Sequence, residues 1–394
     1  MTSFADHTWA NVLECQWLKH KRYWYLTSLI LPTLPLLSAF LAVYFQEGAW
    51  LWLVVPVGYI VVPALDAIFG KDFANPSDEQ VDHLKNDRYF ARVLYCATAM
   101  HWVALIGMAY TVSHWHWSWF SMLGAGLSAG LINGVGIAIG HELGHKVTDD
   151  KQTLSGKLVL ACCGYGHFIV EHNKGHHKDV ATPEDPASAR LGESVYRFAC
   201  RELPGTLMRA LKLEAGRLQR QNKRWWSPHN EILQQWTFTL VAYGVMVYFW
   251  GVVLLPFLLL AAFFGWWQLS LANYVEHYGL LRQKEASGRY QRCEPQHSWN
   301  SNFKLSNLML VHLQRHSDHH AHPTRPYQVL RDYDDVPQLP LGYFGMFLMA
   351  MIPPLWFAIM DHRVVAWANG NMHLVNIDPA KQAVLFKRFH TPTA

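Results

Sequence analysis

The chain has 394 residues, of which only 16% are charged while 14% are Trp, Tyr or Phe, and its formal net charge is +4. Soluble domains average about 25% charged residues, so the composition excludes an ordinary soluble protein and fits a membrane protein with substantial polar segments. Nucleic acid is excluded as a partner, because the net charge is small and no basic groove with interleaved aromatics occurs.

In chain order, residues 1–22 lack a cleavable leader, and the apolar run that follows is too long for a signal-peptide core. That run therefore reads as a retained anchor. Crossing a bilayer takes roughly 20 apolar residues in a helix. Charge-free runs meet this at about 23–45, 93–112 and 117–140, and 49–65 does so when extended through Asp66 to residue 69. The uncharged stretch Trp236–Val275 is about twice the spanning length and divides at Gly251–Pro256, giving spans at about 236–254 and 256–275. Leu341–Met360 is apolar too, but Gly342, Pro353 and Pro354 interrupt it, so an interfacial or core helix is expected there. The glycines Gly124, Gly126, Gly130 and Gly134 of the fourth span serve either to widen a slot or to let helices pack closely.

The expected architecture is all-α: one domain over 1–394, a six-span bundle with a helical cap built from 141–235 and 276–394. Lys19, Lys21 and Arg22 precede the first span, and Lys71, Lys85, Arg88 and Arg92 lie between the second and third. The alternate connections contain no Lys or Arg, so the cap and both termini are expected in the cytoplasm. Six cysteines form no C-x-x-C pair, which suits a reduced chain without a thiolate redox centre.

Of the 23 histidines, nine have spacings that a metal site needs. HELGH closes the fourth span with His141 and His145 at i, i+4; EHNKGHH supplies His172, His176 and His177; NYVEHYG closes the sixth span with His277; LQRHSDHH supplies His316, His319 and His320. All four groups fall at one end of the spans, so they can converge. Nine imidazoles are too many for one ion and suit two, and they exceed the three ligands of a zinc protease, which HELGH alone would suggest. Imidazole serves several metals, and iron is favoured by the apolar setting and the absence of thiolates. Because the adjacent His176 and His177 must point apart, the allocation expected is His141, His145, His177 and His320 on one ion. His172, His176, His277, His316 and His319 would hold the other. Glu142, Glu171, Asp185, Glu276 and Asp318 stand beside these rings and are candidates to orient them through the second ring nitrogen. His101 reads as a helix–helix hydrogen bond, His114 and His116 lie at the wrong end, and His312 and His322 are flanking reserves.

HELGHK at 141–146, EHNKGHH at 171–177, NYVEHYGL at 273–280 and LQRHSDHHAHP at 313–323 resemble the histidine boxes and HYG motif of the membrane-bound alkane monooxygenases. The similarity takes in His-free stretches such as LDAIFGKDF at 65–73 and SWNSN at 298–302, and runs from the first span to about residue 360. The resemblance implies two non-haem irons, O2 as oxidant, and n-alkanes converted to primary alcohols in the bacterial inner membrane. Electrons would come from rubredoxin, itself reduced by a reductase. Rubredoxins are acidic, so the basic stretch from Arg201 to Arg224, with Arg217 and Arg220 at its centre, is a candidate docking surface. A fatty-acyl desaturase or a xylene-type hydroxylase, with the same histidine chemistry, are the alternatives. A metal transporter is disfavoured, since the spans offer almost no ionisable groups at mid-membrane.

Overall fold

A computed structural model describes residues 20–389; Lys19 lies outside the described residues. Six helices are long and apolar enough to cross a membrane: His20–Phe45, Gly48–Phe69, Arg88–His114, Trp119–Gly144, Glu231–Trp250 and Val252–His277. They are the six expected, most extended by a turn or so at their ends, while the fifth starts earlier and stops at Trp250, short of the expected 254. The extensions are stabilised locally. Asp87 caps the third span by accepting from the Tyr89 N–H, and Ser118 caps the fourth by accepting from Ser121. The fifth and sixth spans reverse at Gly251, whose φ of 88° only glycine adopts without strain.

The fourth span is the axis of the molecule, 78% of its apolar window being buried inside the protein. It packs tightly on the sixth span. A Cβ at Gly130 would lie 2.6 Å from Phe264 Cβ, and one at Gly134 2.3 Å from Gln268 Cβ. Close packing is therefore what these glycines do, and Gly134 also faces the cavity described below.

No strand is present among the described residues beyond isolated bridges, and the rest of the chain forms a helical cap over one end of the bundle. Tyr343–Ala350 and Pro353–Trp367 meet at a bend of 118°. The apolar stretch at 341–360 is thus a broken pair. The His-free stretches brace the segment that carries His316. Asp66 accepts from the Ser306 N–H at 2.9 Å, and Asp72 pairs with buried Lys21 at 2.7 Å. Arg315, fully buried, donates to the carbonyls of Asp72, Ala74 and Leu330 at 2.7–3.1 Å. Asn300 and Asn302 both reach Asp332. A buried guanidinium with this many acceptors fixes the backbone on either side, and here the next residue is His316.

Candidate metal centre

The nine histidines converge at the capped end of the fourth and sixth spans, and they form two groups. His141, His145, His172, His177 and His319 have ligand nitrogens all within 4.8 Å of one another, and so do His176, His277, His316 and His320. The allocation differs from the expected one at three positions: His172 and His319 join the first group, and His320 joins the second. Two local geometries cause this. Residues 172–176 form a π-helical turn in which the His177 N–H bonds to the His172 carbonyl, five residues back. In such a turn i and i+5 align, so His172 shares a group with His177, their Nε2 atoms 3.0 Å apart, and His176 turns to the other. In the short helix His316–Ala321 the i, i+4 pair His316 and His320 share a face, with Nε2 atoms at 2.9 Å, while His319 points to the first group.

The spacing is what shared ions impose. Two nitrogens about 2.1 Å from one ion, at tetrahedral to octahedral angles, lie about 3.0–3.4 Å apart. Besides the two pairs above, His319 and His177 approach to 3.2 Å and His316 and His277 to 3.3 Å. The Nε2 atoms of His141, His145 and His176 are buried without a hydrogen-bond partner, a costly arrangement for a polar group. Burial first, and the neighbouring imidazoles second, push His145, His172, His177, His316, His319 and His320 well below the usual histidine range. The rings are thus held neutral, the form that binds metal. By donor type, spacing and protonation the residues fit two transition-metal ions.

The five carboxylates have different partners. Asp185 accepts from His176 Nδ1 at 2.9 Å and so sets its tautomer. Burial works against the charge on Asp185, but His176 and Arg209 outweigh it and hold the carboxyl well below its usual range. The same Asp185 raises His176 despite burial. Glu276 lies on the other side of its ring: its Oε2 is 3.2 Å from His316 Nε2, the atom that faces the group. Glu171 is bound by Arg209, Glu142 by Lys146 at 3.1 Å and the Tyr327 N–H at 3.3 Å. Asp318 points away from the rings and binds His322 Nδ1, the Arg331 N–H and Tyr333 Oη, each at 2.8 Å. It ties down the loop 322–333. His322 is that partner, and His312 lies against Tyr25 with Nε2 3.2 Å from its hydroxyl; both are outside the two groups. His101 bonds the Ala97 carbonyl of its own helix at 2.7 Å and packs on Gly136 of the fourth span.

Sequence reasoning missed Arg209 and Arg315. Arg209 was one more cation in a basic stretch, yet it bridges Glu171 and Asp185 directly behind the rings. No local signal marked it, because its place opposite Glu171 and Asp185 depends on which face of Val195–Arg220 turns inward. Arg217 is likewise engaged, with Glu214 at 2.6 and 2.7 Å and the His229 carbonyl, whereas Arg220 is exposed.

A narrow apolar cavity, about 50 Å3 for the centre of a water-sized sphere, runs between the fourth and sixth spans to this centre. Leu131, Val135 and Ala138 line one wall, Phe344 and Phe347 of the bent pair close it, and His141, His172 and His316 form its end. It therefore meets rings of both groups.

Such a centre, at the end of a membrane bundle and under a helical cap, defines a histidine-box membrane metalloenzyme, and residues 117–350 match the fatty acid desaturase family. The chain is 49% identical to the alkane 1-monooxygenase of Pseudomonas putida over 95% of this chain and 93% of that protein. It is 48% identical to that of Ectopseudomonas oleovorans (96% and 94% covered) and 46% to alkane 1-monooxygenase 1 of Alcanivorax borkumensis (95% and 92% covered). The chain belongs to the alkane 1-monooxygenase family.

Proposed function

We propose that this chain, acting as one domain, hydroxylates the terminal carbon of n-alkanes with O2, at two iron ions held by the nine histidines. The observation that carries the reading is the apolar cavity ending on His141, His172 and His316. The balanced reaction takes RH, O2, two electrons and two protons to ROH and water: the O–O bond breaks, and one C–H bond becomes C–OH. When bound, iron supplies the redox chemistry of O2 that no side chain here can perform. The protein supplies position. Internal C–H bonds are weaker than terminal ones, so terminal selectivity requires that only a chain end reach the centre. A slot walled by Leu131, Val135 and Ala138 and closed by Phe344 and Phe347 admits an alkane lengthwise and excludes water.

The chain has no C-x-x-C pair, so electrons come from another protein or a fused domain, and the family resemblance makes that donor a rubredoxin on the cytoplasmic side. The orientation rests on Lys21, Arg22, Lys71, Lys85, Arg88 and Arg92, which gather at the capped end. In a background without the exposed Cys96 and Cys200, a cysteine at exposed position 114 should react with an impermeant thiol reagent on intact cells. One at position 178, where Lys178 is 79% exposed, should not; the reverse result overturns the topology. The activity is tested with octane, 18O2 and a reduced rubredoxin system, which should give labelled 1-octanol with about two irons per chain. Mainly 2-octanol, an alkene, or oxygen from water would defeat the reading, the alkene in favour of a desaturase.

A further inference from the structure

A second, smaller cavity lies beside the alkane slot, behind His172. Tyr165, His167, Glu202 and Thr206 line it with Glu171 and Ala187, and it touches His172 of the first group and His176 of the second. Phe168, His172, Leu269 and Asn273 form the wall it shares with the slot. Its volume, about 10 Å3 for the centre of a water-sized sphere, is at the threshold for a single water, which needs roughly 10–15 Å3 by that measure and two to four polar partners. The partners are present. Both ring nitrogens of His167 and the Tyr165 hydroxyl are buried with no hydrogen-bond partner in the protein, and the two rings pack at 4.2 Å. His167 is only 6% exposed.

Beside them Glu202 is completely buried. Ser270 donates to its Oε2 at 2.6 Å and Asn273 to its Oε1 at 3.2 Å, both from the sixth span. No Lys or Arg among the described residues forms an ion pair with it. The cation nearest in the network, Arg209, is committed to Glu171 and Asp185. Burial without a counter-ion raises the Glu202 carboxyl to about 7, and the negative charges of Glu171 and Asp185 add to the effect, against the hydrogen bonds from Ser270 and Asn273. A structural buried glutamate is normally paired; this one is placed to carry a proton.

We propose that this chamber binds one ordered water and that Glu202, with His167 and Tyr165, forms a proton relay reaching the histidine centre by a route separate from the alkane slot. The reaction gives it a task, and the proposal rests on the oxygenase reading for that task only. Each turnover needs two protons for the oxygen atom that leaves as water, and the apolar slot cannot deliver them without wetting the substrate. In each transfer the Glu202 O–H bond breaks, its proton passes through the chamber water toward the centre, and the carboxylate regains one from solvent. The electrons come separately, from the protein donor. Glu202 touches neither substrate nor ligand nitrogen and acts through the water.

The test uses full-length protein in detergent and begins without metal. Infrared difference spectra between acid and alkaline pH should show the carbonyl stretch of a protonated carboxyl that titrates near neutrality. One component of that band should be lost in Glu202→Gln and retained in Glu202→Asp. In the iron-loaded protein, with metal content unchanged, Glu202→Gln should lower alcohol formed per O2 consumed, with peroxide making up the difference. It should slow turnover about 100-fold or more, in keeping with a lost proton donor, and Glu202→Asp should restore part. If Glu202→Gln does not retain metal, Tyr165→Phe and His167→Gln are read by the same coupling ratio. No neutral-range carboxyl band, or full coupling and rate in Glu202→Gln, overturns the relay. A wild-type protein that makes no alcohol sinks the oxygenase reading, while the infrared band still decides the chamber.

Discussion

The two histidine groups differ in number, exposure and company. The first has five rings, of which His145 and His177 are only partly buried, and no carboxylate orients any of them directly through a hydrogen bond described above. The second has four rings, all buried, with Asp185 behind His176 and Glu276 in front of His316. One site is therefore ligand-rich and open toward the cap surface, the other shielded and tuned by charge. The difference teaches that two ions held by one kind of ligand need not be equivalent: the open group suits electron entry, and the shielded group suits chemistry that must exclude water.

The largest effect should come from removing a ring of the shielded group. His316→Ala is expected to abolish measurable alcohol formation and to lower the metal content toward one ion per chain. His177→Ala should cost activity too, but the four remaining rings of its group should retain more of their ion. Metal analysis of the two purified variants makes the comparison, and full activity in His316→Ala would refute the ligand set.

Next comes the carboxylate that sharpens the contrast. Asp185→Asn should weaken metal binding by the second group about 10–100-fold, the usual consequence of losing an orienting partner. Asp318→Asn is the control. It should cost about 3 kcal/mol of stability, because Arg325 loses its buried partner, yet leave metal affinity near the parent's. Equal metal loss in both would mean that the two acids act only on the fold.

Acid provides a third measure. His145, His172, His177, His316, His319 and His320 are held below the ordinary histidine value of about 6.5. Below that pH the unfolded chain binds more protons than the folded one, so the metal-free protein should lose stability as pH falls through it. His176 has the opposite sign, being raised by Asp185, and contributes stability that is present in acid and lost as pH rises. In Asp185→Asn that contribution disappears, and the acid loss should steepen. Thermal unfolding of metal-free protein from about pH 8 to about pH 5 would show it; a midpoint that rises on acidification would contradict the buried, neutral rings.

Much of this was legible in the sequence because two signals are strictly local. Apolar runs of spanning length located all six spans, and the histidine spacings picked out the nine rings that the structure gathers into two groups. The allocation was not legible, because residues 172–176 take a π turn that pairs His172 with its i+5 neighbour His177 and turns His176 to the other group. Adjacency in sequence also misled for Asp318, one residue from a ligand-spaced pair yet turned to the opposite face of its helix. Arg209 and Glu202 were invisible for a third reason. Their meaning depends on which face of Val195–Arg220 turns inward, and a polar helix with charges all round does not declare it.

The smallest effect concerns the donor. The basic stretch from Arg201 to Arg224 reads as a uniform docking surface, but the structure divides it. Arg217 is held by Glu214, which is fully buried, and by Glu231 at 3.6 Å. Arg217→Glu would put a third negative charge against those two, costing about 3 kcal/mol of stability, and any loss of turnover would follow from that. Arg220 is exposed, so Arg220→Glu should leave stability and metal content unchanged. If rubredoxin approaches this face, that variant should slow donor-dependent turnover a few-fold at low salt, the difference vanishing as salt screens the encounter. Turnover by a small-molecule reductant should be unaffected. A donor-dependent rate and salt response identical to the parent's would remove this face from the docking surface and leave the partly exposed His145 and His177 edge, with Lys146, Lys174 and Lys178 around it, as the point of electron entry.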